Sequence, residues 1–318
     1  MSILAVGTVA VDTIETPFGS VNRVLGGSAT YIAMAARYLS RPVGLLAVVG
    51  GDFPESYMRT LVSCDLDLEG IEVKKEGKTF SWGGKYHYDL NERDTLFTHL
   101  NVLADFKPVV PEAYRKSEVV CLGNLDPDIQ CDVLDQMEAP EMVICDTMNY
   151  WIEHTPEGLC RVLERIDCLI VNDAEARELS GEPNLVKAAR IIRALGPKIL
   201  VIKKGEHGAL LFADGVVFSA PAYPLEEIQD PTGAGDAFMG GFAGYLACHK
   251  RYDVDHLKRA VIYGSAMASF TVEEFGPQRL LDLKDAEIRM RINAFLTLSH
   301  IPISPYFIES QGIPKPGG

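Results

Sequence analysis

Residues 230–242 read DPTGAGDAFMGGF, and their types and spacing suit the handling of an anion. Asp230 and Asp236 bracket Gly233, Ala234 and Gly235, and an apolar, helix-like segment follows. Residues this small let backbone N–H groups converge without obstruction. A helix N-terminus adds free donors and a positive partial charge. A transferring phosphoryl group is well placed there. Asp236 falls in the first helical turn, where it can take the proton of an attacking hydroxyl. Phosphoryl transfer asks for little else: in-line positioning, charge stabilisation and a base. An Asp of ordinary pKa, ~3.9, is a weak base, but the hydroxyl acidifies as the P–O bond forms. Glycines before a helix also serve plain turns, and a first-turn Asp also serves the helix dipole alone. The local pattern leaves both readings standing.

Other phosphate and nucleophile loops are excluded. No G-x-x-x-x-G-K-[ST] occurs. Gly233-x-Gly235 begins like a dinucleotide loop, but Phe238 stands where its third glycine belongs. Thr30 replaces the last glycine of a G-x-S-x-G elbow at Gly26.

The elements that position such a loop can be read in outline. Short apolar runs at Ile3–Val6, Val43–Val49, Val119–Leu122, Met142–Cys145, Cys168–Val171 and Ile199–Ile202 predict buried strands. Helix-like segments lie between them, at 29–39, 54–62, 129–137, 156–166 and 185–195, with Ser28 as a candidate cap for the first. Such alternation predicts a parallel sheet covered by helices on both faces, with ligands beyond the strands' carboxyl ends. Residues 237–248, 257–270 and 285–298 predict further helices. Segments 13–25 and 71–100 differ: aromatic and β-branched residues between glycine turns predict antiparallel strands with one wet face. Residues 301–318 carry four prolines and predict a frayed tail.

Composition narrows the function classes. The chain has 318 residues, 47% of them hydrophobic, and a formal net charge of −14. An acidic surface repels phosphate backbones, so no nucleic-acid partner is expected. Seven cysteines, none spaced C-x-x-C, read as reduced thiols. No His pair has helical metal-ligand spacing. The N-terminus lacks a basic n-region, and no run nears the ~18 apolar residues of a membrane span. These totals predict a soluble cytoplasmic protein with no membrane partner.

DPTGAGDAFMGGF resembles the C-terminal signature of the PfkB/ribokinase family of carbohydrate and nucleoside kinases, close to D-T-x-G-A-G-D-x-F. Pro231 departs from it where threonine is usual; it lacks an N–H and restricts Asp230. LGGSATYIAMAARYL (25–39) resembles the N-terminal signature, and VGLLAVVGGDF (43–53), VNDAEARELSG (171–181) and VIKKGEHGALL (201–211) resemble further family segments in order. The resemblance spans about residues 3–276.

It implies a ribokinase-like three-layer α/β/α fold with a mostly parallel central sheet and a small β-sheet lid. Residues 1–300 would be the kinase domain, with 13–25 and 71–100 as inserted lid segments. It implies Asp236 as catalytic base and the amides of Gly233, Ala234 and Gly235 as anion hole. Asp12 would bind substrate hydroxyls, beside the lid hinge Gly26-Gly27. Asn172 and Glu175 would organise Mg²⁺ and the phosphates of ATP through water. Lys203, Gly205 and Gly208 fall near the nucleotide. Asp230 and Thr232 resemble part of a K⁺ site used by some members. Most of Trp82, Tyr86 and Tyr88 would pack within the lid.

Two departures bear on the ligands. Tyr31 stands where sugar-specific members often carry Asn, and Ser265 where many carry Asn near the adenine. Asn149, in DTMNYW, is a candidate substrate contact or a loop residue capping the helix near Thr155. The resemblance implies ATP-dependent phosphorylation of a sugar or sugar-like polyol, with a nucleoside as runner-up because Tyr31 and the aromatic lid could stack a base. A non-catalytic sensor is the rival class, and an intact Asp236 argues against it. Open lid edges offer a homodimer interface.

Overall fold

The structure is a computed structural model and describes residues 2–298, so the tail at 301–318 lies outside the described residues. Its strands are β1 (Ile3–Val6), β2 (Ala10–Thr16), β3 (Gly19–Gly26), β4 (Val43–Gly50), β5 (Asp67–Lys74), β6 (Ser81–Tyr86), β7 (Arg93–His99), β8 (Val119–Leu122), β9 (Met142–Cys145), β10 (Cys168–Asn172), β11 (Ile199–Lys203), β12 (Ala209–Ala213) and β13 (Val216–Ala220). Its α-helices are α1 (Ser28–Ala36), α2 (Glu55–Ser63), α3 (Glu112–Arg115), α4 (Pro127–Leu134), α5 (Asn149–His154), α6 (Pro156–Leu163), α7 (Asp173–Ser180), α8 (Leu185–Ala194), α9 (Ala234–His249), α10 (Val254–Thr271), α11 (Gln278–Leu281) and α12 (Asp285–Leu298).

A nine-stranded sheet runs β13-β12-β11-β10-β9-β8-β1-β4-β5, parallel from β11 to β5, with β12 and β13 added antiparallel. The period of two along β1 divides its side chains between two cores. Ile3 and Ala5 pack with Ile32 of α1, Leu61 of α2, Phe242 of α9 and Val261 of α10. Leu4 and Val6 pack with Val133 of α4, Leu159 of α6 and Ile192 of α8. Strands buried on both faces must be apolar throughout, which explains the continuous runs. The chain lays β4 and β5 on one side of β1, then crosses to β8 on the other. That reversal opens a crevice at the carboxyl ends.

The second sheet has order β3-β2-β6-β7 and forms the lid. Its two hairpins are antiparallel, but β2 and β6 pair in parallel, so the lid is mixed. Residues 71–74, expected in the lid, belong to β5 at the edge of the large sheet, paired with β4. An edge strand covered on one face shows the same alternation as a lid strand, so the pattern could not separate them. The cap of α1 also differs from expectation. Gly27 holds the cap position, and Ser28 is the first helical residue. The Thr8 hydroxyl accepts from the Ser28 N–H at 2.9 Å, and the Ser28 hydroxyl accepts from the Thr8 N–H at 3.1 Å.

Small residues let α9 lie closely between α1 and α10. A Cβ at Gly240 would overlap the Ile32 carbonyl, and one at Gly241 would stand 2.7 Å from the Tyr263 carbonyl. Backbone cannot yield as a flexible side chain does. Gly240→Ala is expected to cost about 1–3 kcal/mol through overpacking. The midpoint of urea unfolding reads this, and an unchanged midpoint would show slack between the helices.

Candidate active site

Consecutive strands deliver polar side chains to one rim. Asp146 follows β9, Asn172 ends β10 and Lys203 ends β11, with Asn172 and Lys203 paired across the two strands. Asp236 meets them from the first turn of α9. Asp146 Oδ2 lies 3.6 Å from Lys203 Nζ, and both side chains are largely buried. Burial and the Asp146 charge push Asp236 up to about 7, with Lys203 and Arg93 opposing. The ordinary pKa assumed for a lone Asp therefore does not hold, because acids crowd this rim. Burial and Asp146 likewise raise Glu175 to about 7. Burial pulls the Lys203 ammonium down, but Asp146, Glu175 and Asp236 outweigh it and leave it raised.

The loop before α9 is two nested turns. Asp230 Oδ1 accepts from the Thr232 N–H at 2.8 Å, an Asx turn. The Ala234 N–H donates to the Pro231 carbonyl at 3.2 Å, and Gly233 has φ 77 and ψ −1. These are the values of the third residue of a type II turn, which favours glycine. Proline suits position 231, since the turn uses its carbonyl and needs no N–H there. The Ala234 amide, expected in the anion hole, is therefore occupied. The N–H groups of Gly235 and Asp236 lie in the first turn of α9, where the helix has no carbonyls behind it. Gly235 needs no left-handed φ; a Cβ there would lie 2.8 Å from Lys203 Nζ.

Asp12 ends up beneath the Gly-Gly pair. A Cβ at Gly26 would overlap its carboxylate, and Gly27 has φ 98. Asp12 Oδ1 is buried without a hydrogen-bond partner. Burial raises this acid to about 7, the Gly27 and Trp82 N–H groups pull it down, and the Asp230 and Asp236 charges add to the rise. Tyr31 lies under the catalytic loop: its ring would meet a Gly233 Cβ at 2.5 Å. Its hydroxyl is buried without a partner, and burial with the Asp230, Asp12 and Asp236 charges raises it well above the ordinary tyrosine value.

Other expected residues have plainer settings. Asp230 Oδ2 accepts from the Gly276 N–H at 2.9 Å, so both its oxygens tie backbone, and the Thr232 hydroxyl donates to the Tyr86 hydroxyl at 3.2 Å. Asn149 opens α5 and is exposed. Ser265 is buried on α10. Gly205 and Gly208 bound the turn after β11, both with positive φ.

Asn172 and Glu175 form a reciprocal cap on α7. Glu175 Oε2 accepts from the Asn172 N–H and Asn172 Oδ1 from the Glu175 N–H, each at 2.8 Å. Glu175 Oε1 stays available beside Asp146. The charges of Asp146, Glu175 and Asp236 outnumber the one largely buried lysine between them, so the rim favours a cation. Among the described residues no three acids, histidines or cysteines converge to cage a metal. That donor set fits Mg²⁺ held mainly through water and phosphate oxygens.

The sequence reading missed the lid's reach. Asn91, at the lid tip, donates from Nδ2 to Glu206 Oε2 at 2.8 Å, on the turn after β11. Tyr86 touches the catalytic loop rather than only packing in the lid. Arg93, paired with Tyr86 across the lid, adds positive charge near Asp236. Tyr88 is exposed. Asp146 was also missed, although it shares with Asn149 the signal of a strand's carboxyl end.

An acid in a helix's first turn, amides beside it, and acids with a lysine on the adjacent strand ends form an arrangement that suits phosphoryl transfer. The chain belongs to the pfkB family of carbohydrate kinases, whose family model matches residues 2–283. The cytidine kinase of Thermococcus kodakarensis is 32% identical over 251 residues, covering 77% of this chain and 88% of that protein. Among solved structures, Burkholderia thailandensis nucleoside kinase in complex with inosine superposes with TM-score 0.75 at 21% identity, covering 92% of this chain and 96% of that one. A structure from E. coli described as ribokinase II, in complex with ATP and Mg²⁺, gives TM-score 0.75 at 21% identity, covering 93% of this chain and 99% of that one. These two likenesses establish the fold. No helix among the described residues is long and apolar enough to cross a membrane.

Proposed function

We propose that the protein transfers the γ-phosphoryl group of ATP to a ribose hydroxyl of a nucleoside. The observation that carries this reading is the pairing of two acids with different duties. Asp12 offers a buried carboxylate oxygen without a partner, suited to hold acceptor hydroxyls. Asp236, raised to about 7, is suited to take the proton of the hydroxyl that attacks. The Gly233, Gly235 and Asp236 amides would receive the phosphoryl charge. Mg²⁺, when bound, would neutralise phosphate charge, with Asn172 and Glu175 as its holders through water. The lid would exclude water, which otherwise competes with the acceptor.

The sequence alone ranked a free sugar ahead of a nucleoside. The relative's name, cytidine kinase, and the inosine complex of a structural neighbour support the reverse order. A sugar acceptor is the second reading, favoured by the same hydroxyl-binding Asp12. Exposed Phe18, Tyr88 and Leu96 on the lid support pairing of two subunits there.

The test is ATP consumption across cytidine, uridine, adenosine, inosine, ribose and fructose, with Mg²⁺, with and without K⁺. A nucleoside is expected to exceed ribose in kcat/KM by about tenfold or more, since a matched base pocket contributes at least ~1.4 kcal/mol. Turnover of free sugars alone would defeat the proposal.

A further inference from the structure

Lys203 is an unusual buried cation. Its ion pair with Asp146, at 3.6 Å, is longer than a hydrogen bond. An ammonium has three donors, and no acceptor among the described residues takes one at hydrogen-bond length. The group also lies against the catalytic loop, where only the missing side chain of Gly235 leaves room for it. The next residue is Asp236, whose proton acceptance requires the attacking oxygen, and hence the transferred phosphorus, to be close by. A concentrated charge with spare donors thus sits where negative charge is handed from nucleotide to acceptor.

We propose that Lys203 is the protein's own cation for the transferring phosphoryl group, and that Asp146 is its positioning residue. This rests on the kinase reading above. In the step, a bond forms between the acceptor oxygen and Pγ, and the bond from Pγ to the β-bridging oxygen breaks. The acceptor's proton goes to Asp236 and ADP leaves. Lys203 makes and breaks no covalent bond; its N–H groups turn from Asp146 to the phosphoryl oxygens. Asp146 is aimed by its own contact, Oδ1 accepting from the Thr147 N–H at 2.8 Å. It keeps the ammonium at the rim when no nucleotide is present, which limits the reorganisation needed on binding.

The inference separates ATP from ADP, because only ATP carries the group in question. In Lys203→Met, affinity for the β,γ-imido analogue of ATP, read by calorimetry with Mg²⁺, is expected to fall about tenfold or more while ADP binds as before. Its kcat is expected to fall about 10²–10³-fold. Asp146→Asn is expected to lower kcat about tenfold with acceptor KM unchanged, and to have no further effect in the Lys203→Met background, since it acts through that lysine. Equal losses for the analogue and ADP would overturn the proposal, as would additive effects of the two substitutions. Lys203→Gln serves the same comparisons if the Met variant does not fold. Wild-type protein that binds neither nucleotide would defeat the kinase reading instead.

Discussion

Asp236→Asn is expected to lower kcat by about 10²–10⁴-fold, the usual worth of a positioned general base. Asn keeps the shape and loses the proton acceptor. Nucleotide and acceptor should still bind, because the loop's amides and Asp12 are untouched. The wild-type pH dependence carries the same signature. Asp236 is held up to about 7, so the ionised base is present above that pH and lost as pH falls through it. The kcat/KM profile of free wild-type enzyme should decline by about tenfold per pH unit on the acid side of neutrality. Near-normal turnover in Asp236→Asn would remove the residue from the chemistry. A profile flat from pH 5 to 8 would show that the base titrates elsewhere.

Gly233→Ala is expected to reduce kcat by about 10²–10³-fold, comparable to losing a donor from an anion hole. Two physical causes act together. The residue holds φ 77 in the type II turn, where an L side chain is strained. The new methyl would also meet the Tyr31 ring at 2.5 Å, and that ring is fully buried with nowhere to go. Either cause twists the turn and turns the Gly235 and Asp236 amides away from the phosphoryl group. Pairing the change with Tyr31→Ala separates them: it removes the collision and leaves the backbone strain. Activity close to wild type in Gly233→Ala alone would mean that the loop's shape is not what positions the charge.

The parallel sheet was readable because its strands are buried on both faces and carry no other signal. β1, β8 and β9 coincide with their apolar runs for that reason. The hairpin of β12 and β13 was missed although Asp214-Gly215, both with positive φ, is a hairpin turn signal. Local motifs singled out Asp236 and Gly233 and the resemblance singled out Asn172 and Glu175, and the fold brings Asn172, Glu175 and Asp236 to one rim beside Lys203. The hydrogen bonding of this loop was only half legible. Whether Ala234 donates inward or back to Pro231 depends on turn geometry, which residue names do not encode. Asp146 comes from one segment and Arg93 and Asn91 from another, and only the tertiary fold brings Asp146 and Arg93 near Asp236 and Asn91 against Glu206. The raised pKa of Asp236 was hidden for the same cause: it arises from neighbours far away in sequence.

Side-chain hydrogen bonds that tie the lid to the body include Asn91 to Glu206, Thr232 to Tyr86 and, at 2.6 Å, the Tyr57 hydroxyl to the Arg23 carbonyl. Bonds of this kind contribute about 0.5–1.5 kcal/mol each, so the three together contribute about 1.5–4.5 kcal/mol. A latch of that size lies within the range of local thermal opening, with no dedicated opening signal. The latch is strong enough to bias closure and weak enough to release product.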